Sequence, residues 1–195
     1  ETMLREGKPQ PSVSQSQEKQ SLWVAQILKA AMDFDEATIR TMMARDSSVL
    51  GVHSFLRERV APLIEDIGSS WTRGELRIRH EHFVSGILDE HLRELRVGFD
   101  PSTKGRPVVL ACLPDERHTL GLQMVALEIS AAGRRDVVLG PHTPIEEIVA
   151  SAVSLEAEAV GISVSVFAPS HATLDLISDL RDQLSKQTKL WIGGG

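Results

Sequence analysis

The sequence predicts an α + α/β chain: an N-terminal four-helix bundle followed by a doubly wound parallel sheet. Three observations lead there. From Gln20 to about Val97, apolar residues recur at helical spacing in four stretches. From Val108 on, continuous apolar runs of strand length alternate with helical stretches, as in parallel strands buried on both faces. Between the two regimes lies Pro-Ser-Thr-Lys-Gly-Arg-Pro, residues 101–107, a hinge-like stretch of turn formers. The expected organisation is a flexible tail at 1–17, a helical-bundle cap at 18–98, a linker at 99–107 and an α/β domain at 108–195, cut short at its C-terminal end.

Residues 1–17 are rich in Gln, Ser and Pro and bury too little apolar surface to offset their ordering entropy. The first helix carries Leu22, Trp23, Ala25, Gln26, Ile27, Ala30 and Ala31, mainly on one face. Phe34-Asp35-Glu36 breaks it, and Asp35 suits the N-cap of a second helix with Ile39, Met42 and Met43. A third begins after Gly51, carries Phe55, Leu56, Val60, Leu63, Ile64 and Ile67, and is expected to end at Gly68-Ser69-Ser70. The fourth follows Gly74 with Ile78, Phe83, Ile87, Leu88, His91 and Leu95. Four helices with short links make an antiparallel bundle.

In the second half, strands are expected at 108–112, 136–139, 159–166 and 189–192, and helices at 120–132, 144–155 and 172–184. Ligands of such sheets sit at the carboxyl ends of the strands. His118, Ser163 to Ser165 and Gly193 to Gly195 all fall there. A histidine after a buried strand, with a glycine three residues on, suits an axial metal ligand reaching up from the sheet edge. Glu116 is placed to orient that imidazole, and Gly121 to let a helix start close to a ligand.

Bulk properties narrow the function classes. With 42% hydrophobic residues the 195-residue chain can build a real core. The net charge of -6, with no Lys/Arg-rich block, argues against direct nucleic-acid binding by this chain. No apolar run reaches the ~18 residues of a membrane span, and no apolar leader opens the chain, so the expected location is cytoplasmic. The lone Cys112 excludes an internal disulfide and reads as core packing. His53, His91, His142 and His171 carry no such pattern and read as ordinary surface or packing residues.

Three segments occur in order at strand ends: Glu116-x-His118-x-x-Gly121, Ser163-Val164-Ser165 and Gly193-Gly194. They resemble the Rossmann-like cobalamin-binding domain of methionine synthases, mutases and cobalamin-dependent regulators. Trp71, followed after nine residues by Glu81-His82, is similar to the helical cap of photoreceptor regulators of the CarH/LitR type. The two likenesses span about residues 20–195.

The resemblance implies His118 as the lower axial cobalt ligand, supported by Glu116, Arg117, Thr119 and Gly121. It implies a slot of small residues for the nucleotide tail: Gly161, Ser163, Val164, Ser165, Gly193 and Gly194. It implies Trp71 as an apolar shield over the upper ligand and Glu81 as a carboxylate for the hydroxyls of an adenosyl ribose, with Ile78 and His82 also among the cofactor-binding residues. The implied cofactor is cobalamin, adenosylcobalamin ahead of methylcobalamin. The implied role is a light-sensing module that regulates transcription or a fused or partner output, rather than an enzyme. The implied partners are a second copy or a regulatory protein, with DNA reached only through an N-terminal domain absent from this sequence. The competing class is a corrinoid protein carrying a methyl group for a methyltransferase. One position departs from the photoreceptor pattern: Thr72 stands where those proteins carry a histidine that ligates cobalt after photolysis. Bis-histidine ligation is therefore not expected through that position; the alternatives at the upper site are His82, His80 or water.

Overall fold

The computed structural model describes residues 13–99, 105–165 and 171–194. The expectations for residues 1–12, for 100–104 of the linker, and for Val166 and Gly195 lie outside the described residues. Two compact units emerge, Glu1–Val84 and Ser85–Gly195.

In the first unit, α1 spans Val13–Met32 and so begins inside the stretch expected as a tail. Gln is a good helix former and Ser is only mildly unfavourable, so a polar run can extend a helix anchored further on. That anchor is the buried row Trp23, Val24, Ile27, Ala30 and Ala31. The helix ends where Phe34 turns left-handed at φ 55. There the Asp35 N–H bonds to the Ala30 carbonyl (2.9 Å) and the Phe34 N–H to that of Ala31 (3.2 Å), a Schellman closure. Glycine usually fills that place. Here the Phe34 ring packs edge-on against His80 (5.1 Å) and Phe83 (5.2 Å), which offsets the backbone cost. Asp35 caps α2 (Glu36–Leu50), as expected, by accepting from the Thr38 N–H at 3.0 Å.

The third helix is composite. Helix α3 (Val52–Phe55) runs into a π-helical turn at Leu56–Val60 and then α4 (Ala61–Thr72). The widened turn sits just before Pro62, whose missing N–H interrupts the α-helical ladder. Gly68-Ser69-Ser70 does not end this helix. The Ser69 and Thr72 hydroxyls donate to the carbonyls of Glu65 and Gly68, both at 2.9 Å, and keep these polar residues inside it. The stop comes at Gly74, φ 73, where the Glu75 N–H bonds to the Ser70 carbonyl (2.9 Å) and the Gly74 N–H to that of Trp71 (3.0 Å). Trp71 therefore stands on the last helical turn, not in a loop.

Helix α5 (Ile78–Val97) crosses from the first unit into the second. Its second half is tied to the α/β part by Arg96–Asp136 (2.8 Å) and by Asp89, which accepts from the Thr119 hydroxyl at 3.2 Å.

The second unit is the expected α/β sheet. Its strands are β1 (Val108–Cys112), β2 (Asp136–Gly140), β3 (Ala159–Ser163) and β4 (Lys189–Gly193), all parallel, in the order β2-β1-β3-β4. Helices α6 (Leu120–Ala131), α7 (Ile145–Ser154) and α8 (His171–Gln183) connect them. Val109 and Ala111 pack with Ile148 and Ala152 of α7 and Leu180 of α8 on one face. Val108, Leu110 and Cys112 pack with Leu122 and Ala126 of α6 on the other. This alternation along β1 is why the strand is apolar throughout. From β1 the chain goes through α6 to β2 on one side, then crosses back through α7 to β3 on the other, so the strand order reverses at β1 and a crevice opens between the ends of β1 and β3. Strand β3 stops at Ser163, earlier than expected, because the Ser165 N–H leaves the ladder for the Glu116 carboxylate (3.0 Å). No helix among the described residues is long and apolar enough to cross a membrane.

The cap at Asp35 yields a direct test. Asp35→Ala is expected to lower the urea midpoint of unfolding, with Asp35→Asn retaining most of the wild-type value.

Candidate cofactor site

Strand β1 delivers the chain to the crevice, and residues 113–119 form the loop that follows it. Within that loop Glu116 is 5% exposed. One of its oxygens accepts from the His118 N–H at 2.8 Å and lies 2.7 Å from Nδ1 of the same imidazole. The other accepts from the Ser165 N–H, beyond β3. A single carboxylate thus ties together the two loops that border the crevice. Burial pushes the Glu116 carboxyl up, but the N–H groups of His118 and Ser165 outweigh it and hold the group at about 2. An ionised carboxylate only accepts, so the ring proton of His118 belongs on Nδ1 and the nitrogen suited to a metal is Nε2. The His118 side chain is 64% exposed, so the ring reaches out of the fold while its anchor is buried.

Cys112 lies fully buried at the end of β1, as expected of a packing residue. Burial, and then the Glu116 charge, push its thiol up to about 11, which makes it unreactive at neutral pH.

The small residues divide into two kinds. A Cβ on Gly121 would stand 3.0 Å from the Ser163 hydroxyl, and one on Gly194 would stand 1.7 Å from the Val164 carbonyl oxygen. These glycines let α6 and the end of β4 close on the segment after β3. Gly193 has open space around its missing side chain. Gly161 does not belong to a slot: a Cβ there would meet Leu110 Cδ2 at 2.6 Å, so its place is taken by core packing. The Ser165 hydroxyl is buried beside the Glu116 carboxylate and helps to keep that carboxylate ionised. Thr119 is held by Asp89 of α5, and Arg117 is exposed. An oriented imidazole beside a cleft of closely approaching backbone fits a metal-centred ring with a polar tail.

The first unit holds the other expected residues. Trp71 and Ile78, 47% and 60% exposed, line an open groove of about 560 Å³ with Gly74, Leu76, Arg77 and Arg79. Glu81 and His82 pair with each other at 2.5 Å and do not line that groove. The Thr72 hydroxyl is spent on its own helix. His80 is buried against Phe34, accepts from Arg79 on Nε2 (3.1 Å), and has no partner for Nδ1.

Two residues escaped the sequence reading. Asp89 holds Thr119, and His142 contacts the loop of Glu116 and His118. Neither carries a local signal. Each meets its partner only through tertiary packing, Asp89 from 30 residues away and His142 from 27 residues away from Asp115.

Residues 106–195 match the family described as B12 binding domain, so the second half of the chain is a B12-binding domain and its ligand class is cobalamin. Across most of its length the chain is similar to the HTH-type transcriptional repressor CarH of Myxococcus xanthus, with 29% identity over 172 residues. That alignment covers 88% of this chain and 57% of the repressor, so the chain spans little more than half of this curated relative. It is also similar to the dimethylamine corrinoid protein 1 of Methanosarcina acetivorans, 23% identical over 143 residues, covering 71% of this chain and 67% of that protein. Among solved structures, the monomethylamine corrinoid protein of Methanosarcina barkeri shares the fold, with a TM-score of 0.66 and 16% identity over 87% of this chain and 82% of that one. The chain is thus a cobalamin-binding module related by sequence to a transcriptional repressor and to a corrinoid protein.

The depressed Glu116 carboxyl sets a pH dependence. Its folded value of about 2 lies below its ordinary 4.5, so its contribution to stability is full above 4.5 and is lost as pH falls towards 2. Denaturant unfolding at pH 6 and pH 3 should show that loss, and Glu116→Gln should remove this part of the acid sensitivity.

Proposed function

We propose that this chain is the cobalamin-binding sensory module of a light-responsive regulator, holding adenosylcobalamin. Its output is a change in conformation or oligomeric state that regulates transcription or a fused or partner domain. The observation that carries the reading is the Glu116–His118 pair at the crevice of a B12-binding domain, in a chain that also holds Trp71, Glu81 and His82 at the photoreceptor spacing.

When bound, adenosylcobalamin supplies a cobalt–carbon bond that visible light cleaves. The chain's own residues do the rest. Nε2 of His118 would hold the metal, and Glu116 would fix the tautomer and strengthen the imidazole as a donor. Gly121, Ser163, Val164, Ser165, Gly193 and Gly194 form the cleft for the nucleotide tail, with the Ser165 hydroxyl as a polar contact. Arg117 and Thr119 flank the ring. By the resemblance, Trp71 and Ile78 would offer the adenosyl group an apolar surface. Glu81 and His82 hold its ribose hydroxyls. Thr72 offers no imidazole, so His82, which is exposed, is the better substitute of the two histidines considered. The role is sensory rather than catalytic, and the partner is a second copy or the output protein.

The similarity to the dimethylamine corrinoid protein favours a second reading, a methyl carrier serving a methyltransferase. Reconstitution in the dark with adenosylcobalamin or methylcobalamin separates the two. On the sensory reading, the adenosyl form binds with a histidine-ligated absorbance spectrum, and illumination changes both spectrum and mass by light scattering. His118→Ala abolishes the ligated spectrum, and Glu116→Gln weakens binding about 10- to 100-fold. Tight methylcobalamin binding with no change in mass on illumination would establish the carrier instead.

A further inference from the structure

The loop that carries Glu116 and His118 is also held from the side, by His142. Strands β1 and β2 are parallel neighbours, with Ala111 beside Gly140, so the loops that follow them leave the same edge of the sheet. The Thr143 N–H bonds to the Cys112 carbonyl at 3.1 Å, which starts the loops in register. Beyond that point the two loops clasp each other through a single residue. The His142 N–H donates to the Glu116 carbonyl at 3.0 Å, and Nδ1 of the His142 ring accepts from the Asp115 N–H at 2.8 Å. The two bonds straddle the Asp115–Glu116 peptide. The residue whose carboxylate orients His118 thus has its backbone clamped by one histidine.

Backbone conformation points the same way. Asp115 and His142 both adopt left-handed φ values, 68 and 53, without being glycine. Asp and His accept such conformations more readily than most L residues, which lets them stand at this place. Here the same two residues make the clasp. Both side chains are largely in water, 97% exposed for Asp115 and 61% for His142, so the ring does not serve the core. What it supplies is a lone pair at a fixed place, which requires neutral imidazole nitrogen at Nδ1.

We propose that His142 is a positioning residue for the axial-ligand loop, acting as an acceptor that fixes where Glu116, and through it His118, stands. The inference rests on the cobalamin reading of His118 but is testable without cofactor. His142→Gly removes the acceptor while relieving the left-handed backbone. His142→Asn restores an acceptor near the place of Nδ1 and tolerates the same backbone.

In the cofactor-free full chain, His142→Gly should speed exchange of the Asp115 amide by about tenfold and broaden the His118 Nδ1–H proton resonance, with β1 and β3 amides unchanged. With adenosylcobalamin in the dark, the same variant should bind about tenfold more weakly and lose part of its histidine-ligated spectrum. His142→Asn should restore all of these. Unchanged exchange in His142→Gly would overturn the proposal, as would equal losses in both variants. Faster exchange with an unaltered His118 resonance makes His142 a loop brace only, and overturns positioning. If the wild-type chain takes up no cobalamin, the functional reading fails, and the cofactor-free arm still decides the role of His142.

Discussion

The Glu116 carboxylate is the interaction on which the binding end of the sheet depends. It is buried, ionised and surrounded by donors, and its two oxygens serve different loops. The length of glutamate allows one oxygen to stay with His118 while the other reaches the segment after β3. Such a group is costly to bury unless its lone pairs are satisfied. The backbone N–H groups of His118 and Ser165 do that, and they belong to the two segments that must be set relative to each other for the crevice to exist. Orientation of the imidazole and the early end of β3 follow from the same charge, which also adds to the burial that keeps Cys112 inert.

The helical unit has its own tie of this kind. Asp46 on α2 meets Arg59 of the π turn at 2.7 Å and Arg45 at 2.8 Å. Burial pushes the Asp46 carboxyl up, and the two guanidinium groups more than reverse that and hold it below its ordinary range. The Arg59 guanidinium also lies over the Trp23 ring, 5.6 Å from its centre, linking the π turn to α1. The π turn aims Arg59 at these partners, and the Schellman closure after Thr72 sets Trp71 at the mouth of the open groove. The π turn is traceable to Pro62 and the closure after Thr72 to Gly74, and they place Arg59 and Trp71.

Much of this was legible in the chain. Helical spacing showed four helical stretches, and continuous apolar runs showed parallel strands, because a strand buried on both faces has no polar side to write into the sequence. Asp35 and Gly51 marked helix ends through chemistry confined to a few neighbouring residues. The position of Trp71 was less legible: Gly68-Ser69-Ser70 looks like a terminator, but hydroxyls that bond back to their own helix remove the reason to stop. Gly161 was misread for a similar reason. A missing side chain looks the same in sequence whether a ligand or Leu110 fills the space.

The sequence by itself determined the order and type of the elements, the residues that could ligate a metal and the small residues around them, since these depend on periodicity and side-chain chemistry. Tertiary structure alone decided that the compact units divide within α5, that Glu116 reaches Ser165, and that His142 clasps Asp115 and Glu116. Those outcomes depend on which strands lie side by side. In a parallel sheet, neighbours in space are separated by a whole helix in the chain, and no local pattern records their meeting.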